Sequence, residues 1–112
     1  MPASMRKDDS IYIDQILACI EKIERFVSGK GAHDFAEDEL LQSAVVRQLE
    51  VIGEAAKRVS EERRSKNPEI PWKDIAGMRD KLIHHYFDID LNVVWKTITD
   101  DIPKLKRQLT SA

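Results

Sequence analysis

Arg79, Asp80, His84 and Tyr86 fall within eight consecutive residues. They bring together a fixed cation, a carboxylate, an imidazole and a phenol. A guanidinium can grip two oxygens of one phosphate. An imidazole, with a reference pKa of about 6.5, can take or give a proton near neutrality. A carboxylate one helical turn before it can accept a hydrogen bond from one ring nitrogen, fixing the tautomer and raising the pKa. These residue types suit chemistry at a phosphate ester. A metal is not expected: His84 and His85 are adjacent and so point to different sides of a helix, and His33 supplies neither a cysteine partner nor an HxxxH spacing. A glycine-rich phosphate loop, a GxSxG elbow and a CxxC pair are all missing from the sequence.

The motif violates the pattern of its own helix. At about 100° per residue, Trp72, Ile75, Ala76, Leu82, Ile83 and Tyr86 fall within roughly 60° of Arg79. Arg79 therefore stands in the middle of an apolar face. A buried, unpaired charge costs several kcal/mol, so this cation needs a partner. Two readings are open. One is a structural ion pair with an acid of another helix, such as Glu50 or Glu54. The other is a desolvated site waiting for a phosphate. His84 lies roughly 140° from Arg79, at the edge of the apolar face. Asp80 is on the His84 side, and Tyr86 returns to the Arg79 side. On a regular helix the two of one chain diverge; a helix end at His84, or a two-fold dimer pooling both copies, would bring Arg79 and His84 together. The apolar stripe with Trp72, Leu82 and Tyr86 gives a second motive for dimerisation.

The elements that must position this segment are helical. Asp8, Asp9 and Ser10 offer caps for a first helix carrying Ile13, Ile16, Leu17, Ile20, Ile23 and Val27, stopped by Gly29-Lys30-Gly31. A long helix is expected from Glu37 through the charged run Lys57–Lys66, with Leu41, Val45, Ile52 and Val59 on one stripe and Gly53 permitting close approach. The charged run reads as a solvated helix end, with an RNA-binding patch as the alternative. Asn67-Pro68 and Ile70-Pro71 form a rigid connector. A third helix runs from Pro71 or Trp72 to His84. Asp90 caps a fourth with Leu91, Val94, Trp95 and Ile98, which Pro103 should kink or restart with Asp100 or Asp101 as cap. Trp72 and Trp95 are expected in the core. The fold class is all-α, an up-and-down bundle of four to five helices that dimerises through the motif helix. One domain is expected over residues 8–110, with 1–7 frayed.

Composition agrees. The chain has 112 residues, 42% apolar and 34% charged, with four glycines and four prolines. That suits one helical domain with a real core. A net charge of −2 excludes a protein coated in positive charge, but not a locally positive cleft. The single cysteine, Cys19, falls on an apolar helix position and reads as a buried structural thiol. No apolar run approaches the roughly 20 residues needed to span a bilayer, and no leader is visible, so a cytoplasmic location is expected.

Arg79-Asp80-Lys81-Leu82-Ile83-His84-His85-Tyr86 reads as R-x4-H-x-Y. Together with the flanking block Pro71–Phe87 and the block Arg47–Ala55, it resembles the HepT-like toxin branch of the HEPN superfamily over nearly the whole chain. The resemblance implies a dimeric helical bundle whose cleft is lined by the R-x4-H residues of both copies. It implies metal-independent RNA cleavage with no cofactor, in a toxin neutralised by a minimal nucleotidyltransferase that transfers AMP from ATP to Tyr86. Arg79 and His84 would be catalytic and Asp80 would support them, matching the family's polar residue after the arginine. His85 fills a variable position. The alternative is a non-catalytic module that binds a nucleotide or docks a nucleotidyltransferase; a plain structural dimer is the third reading.

Overall fold

The computed structural model describes residues 2–84 and 90–111, and side chains except those of 2–8, 79 and 81–84. Among the described residues there are seven α-helices and one π turn. They are α1 (Pro2–Val27), α2 (Ala32–Ala36), α3 (Glu39–Arg58), α4 (Glu61–Lys66), α5 (Trp72–His84), α6 (Leu91–Lys96), the π turn (Thr97–Asp101) and α7 (Ile102–Thr110). Four rods make the bundle: α1, α3, α5, and the α6–α7 rod with the π turn inside it. The long α3 lies between α1 and α5 and packs along both.

The core follows the apolar stripes. Ile16, Ile20 and Ile23 of α1 meet Val45, Leu49, Ile52 and Ala56 of α3, and all are buried. Val94 and Ile98, then Leu105 and Leu109, close the fourth rod onto them. Each such aliphatic side chain contributes about 1.5–3 kcal/mol over an exposed one. Gly53 is buried on α3, as a close-approach glycine should be.

Three boundaries differ from the sequence reading. The first helix begins at Pro2 rather than at Asp8–Ser10, because Asp9 is not a cap. Its carboxylate is buried at 8% exposure and reaches across to Ser60, accepting from the Ser60 N–H at 2.8 Å and its hydroxyl at 2.7 Å. Asp9→Ala should therefore lower unfolding stability by about 2 kcal/mol, and Asp9→Asn, which keeps one acceptor, by less than half as much. Thermal melting of the two variants checks this.

The second difference is that no single helix runs from Glu37 to Lys66. Gly31 precedes the short α2, where Asp34 accepts from the Gly31 N–H at 2.8 Å. Phe35 of α2 is buried and packs on Trp95 with ring centroids 5.4 Å apart. Asp38 then caps α3 by accepting from the Leu41 N–H. At the far end Val59 and Ser60 are both extended. Val59 drops into the core, and Ser60 caps α4 through its hydroxyl and the Arg63 N–H.

The third concerns Pro103. Asp101 makes no side-chain cap, and the rod neither stops nor restarts. Proline has no N–H for the Thr99 carbonyl, so the ladder widens by one residue instead and Ile102 N–H reaches the Thr97 carbonyl. Asp90 caps α6 as expected, accepting from the Asn92 and Val93 N–H groups.

Candidate active site on the fifth helix

The start of α5 is fixed by its connector. Ile70 is buried, its N–H donates to the Asn67 carbonyl, and the Trp72 indole N–H donates to that same carbonyl at 3.0 Å. Pro71 then supplies the first helical acceptor, taking the Ile75 N–H at 3.0 Å. Trp72 and Ile75 are buried, and α5 packs along α3. Arg79 stands seven residues beyond Trp72 and four beyond Ile75 on the same helix, so its backbone position lies on that packed face. His84 is the last residue of α5. The side chains of Arg79 and His84, and the whole of His85 and Tyr86, lie outside the described residues.

Asp80 is placed, and its neighbour was not foreseen. Its exposed carboxylate receives the Lys57 ammonium of α3, with Nζ 3.1 Å from Oδ2 and 3.3 Å from Oδ1. With both side chains about half exposed, such a pair adds about 0–1 kcal/mol to stability; its effect is to orient. Lys57 follows Glu54 by three residues and Glu50 by seven, so the three share one row of α3. Both glutamates are half-buried. The row that meets the motif helix thus carries two acids and then a lysine, and the acids weighed as structural partners of Arg79 belong to it. The Lys57–Asp80 pairing joins residues 23 apart. The heptad-like spacing of Glu50, Glu54 and Lys57 was the available signal, obscured because Lys57 opens the charged run.

The backbone under Lys57 is itself held. Arg64 of α4 donates through Nη2 to the Ala56 carbonyl at 2.7 Å and the Lys57 carbonyl at 3.2 Å, capping the end of α3. The charged run is therefore partly structural and not only a solvated helix end. On the other side of α5 an open groove of about 930 Å³ runs along α6 and α7, with Gly77, Met78, Val93 and Thr97 among its walls.

Cys19 is buried among the core aliphatics, and burial pushes its thiol pKa up, against smaller lowering effects of Lys22 and Arg47. Among the described residues no helix is long and apolar enough to cross a membrane.

Comparison with known proteins agrees with the motif. The family described as "Ribonuclease HepT-like" matches residues 16–112. A Thermococcus cleftensis protein named "Probable ribonuclease HepT" is 46% identical over 102 residues, covering 91% of this chain and 93% of its own. A candidate RNase of Caldanaerobacter subterraneus subsp. tengcongensis is 46% identical over 98 residues, covering 88% of each chain. A Methanocaldococcus jannaschii protein, whose name joins gamma-glutamylcyclotransferase to a candidate RNase, is 48% identical over 105 residues. That match takes in 94% of this chain but only 47% of the longer relative, so the chain spans about half that protein's length. No solved structure matches. With a helical bundle, the R-x4-H segment on its fifth helix and a family match over most of its length, this chain belongs to the HepT-like ribonuclease family.

Proposed function

We propose that the chain is a metal-independent RNA endonuclease that acts as the toxin of a toxin–antitoxin pair in the cytoplasm. The observation that carries this is the placement of R-x4-H on α5, with Arg79 on the face shared by buried Trp72 and Ile75, in a chain of a ribonuclease family. A guanidinium on such a face meets a phosphate with little water between them, where its attraction is strongest.

The reaction needs only the RNA itself. The ribose 2′-oxygen attacks the adjacent phosphorus, its proton passes to a base, and the bond to the 5′-oxygen breaks as that oxygen gains a proton. His84 of one copy takes the first proton, or gives the second, while the partner's His84 takes the complementary task. Arg79 balances the extra negative charge at the pentacoordinate phosphorus. Asp80 supports His84 from one turn away, and Lys57 keeps its carboxylate oriented. The products are a 2′,3′-cyclic phosphate and a 5′-hydroxyl. A homodimer formed through α5 supplies both histidines to one cleft.

The partner is a minimal nucleotidyltransferase. The Tyr86 phenol oxygen attacks the α-phosphorus of ATP, pyrophosphate leaves, and the phenolic proton is lost. The test of the nuclease is incubation of purified chain with RNA in EDTA. Fragments ending in 2′,3′-cyclic phosphate and beginning with 5′-hydroxyl are expected; intact RNA, or cleavage that chelation stops, would sink the reading.

A further inference from the structure

We infer that Arg58, Arg63 and Lys66, cations of the α3–α4 junction that Lys57 joins to the motif helix, form a track on which single-stranded RNA lies as it enters the site. This rests on the ribonuclease reading and names where its substrate docks. Ten residues, Lys57–Lys66, hold five cations and two acids, a net +3 in a chain of net −2. The other 102 residues therefore sum to −5; a second net +3 stretch, carrying Lys104, Lys106 and Arg107, lies on α7, and the one that touches the motif helix through an ion pair to Asp80 is Lys57–Lys66.

The structure ties the segment to the motif. Lys57 contacts Asp80, the residue after Arg79, and Arg64 holds the carbonyls of Ala56 and Lys57. Those two cations are engaged in building the junction. Lys57 ties α3 to α5, and Arg64 ties α4 to the end of α3, where the Val59–Ser60 break and the Asp9–Ser60 bonds also act. The remaining three are not needed for that. Arg58 is exposed at the end of α3. Arg63 and Lys66 are three residues apart on α4 and so share a face of it. Arg63 is half-buried, with an Nε that has no hydrogen-bond partner among the described residues. Lys66 is 63% exposed and only at the 4.0 Å limit of contact with Glu62. Glu61 and Glu62 occupy the first turn of α4, where their charge complements the positive end of the helix dipole. Arg58, and Lys66 with its long contact to Glu62, stay exposed on a junction held by other bonds, which suits a polyanion, and a ribonuclease acts on one.

The test separates this surface from the nuclease reading by measuring binding where cleavage is blocked. In a His84→Ala background, a short fluorescein-labelled single-stranded RNA is titrated at several salt concentrations. Changing Arg58, Arg63 and Lys66 together to glutamine should weaken binding about tenfold or more at low salt, and flatten the log–log salt slope by about 2, near 0.7 per lost contact. An Arg58→Gln, Lys66→Gln pair, changing only exposed residues, should give an intermediate loss if the triple variant melts early. The control changes Lys22 and Arg25, about 20 Å or more along α1 from Asp9, and Lys30 in the turn after that helix, which have the same summed charge. It should leave affinity within about twofold. Equal losses in both triples, or unchanged affinity and slope in the first, overturn the track and leave the segment to an acidic protein partner. If the parent chain cuts no RNA but the two triples differ as expected, the surface stands and the nuclease reading falls. If the parent neither cuts nor binds, both fall.

Discussion

Replacing His84 with alanine should slow RNA cleavage by about 10³-fold, within the 10²–10⁴ that general acid–base groups supply, and by more if both copies act in one cleft. Arg79→Ala should cost about 10²–10³-fold, the effect of removing one preorganised donor at a site of developing charge. The physical grounds differ. His84 moves protons, so its loss should also flatten the pH profile of the residual rate. Arg79 contributes charge, so its loss should leave the profile's shape intact. Circular dichroism and the oligomeric state should be unchanged in both variants, since Trp72, Ile75 and the α3 core hold α5 without them. Wild-type rates in both would remove the nuclease reading. Arg79→Met addresses the structural reading, in which Glu50 or Glu54 neutralises the arginine. A methionine fits an apolar face, so stability should hold or rise while cleavage is lost. A large loss of stability would instead tie Arg79 to packing.

Modification of Tyr86 should silence the chain as completely as loss of His84. Incubated with a minimal nucleotidyltransferase and ATP, the chain should gain the mass of one adenylyl group, and cleavage should fall to the level of the His84→Ala variant. Tyr86 follows Arg79 by seven residues, about two turns of a regular helix, so the added phosphate would offer that guanidinium a covalently attached counter-ion. The nucleoside would occupy space meant for RNA. Tyr86→Phe, which lacks the oxygen, should gain no mass and stay active in the partner's presence. A chain modified elsewhere, or one modified at Tyr86 that still cuts RNA, would refute this assignment.

Much of the architecture could be read from apolar spacing. The stripes through Ile16, Ile20 and Ile23, and through Val45 and Ile52, are local patterns, and each is buried as a unit. Trp72–His84 emerged with its boundaries intact because Pro71 before it is a strong punctuator. What escaped was long-range. Asp9 sits among cap-forming residues and reads as one; only the approach of Ser60, 51 residues away, turns it into a buried acceptor inside a longer helix. Ser60-Glu61-Glu62 is in hindsight a helix start, but it lay within a charged run whose composition suits continuous helix equally well. Lys57–Asp80 is likewise a product of packing. At the site, residue types and spacing gave the chemistry, and family resemblance gave the roles. In the proposed cleft a second copy brings Arg79 and His84 together, which no single-chain periodicity encodes.

The buried Cys19 has a practical corollary. With the chain's one sulfhydryl sequestered in the core and reluctant to ionise, the exterior is blank to maleimide and disulfide reagents. A cysteine introduced on the surface would then be the sole reactive handle. Spin labels or crosslinkers placed that way could measure the distance between two motif helices in an assembled pair, with the native sequence otherwise untouched.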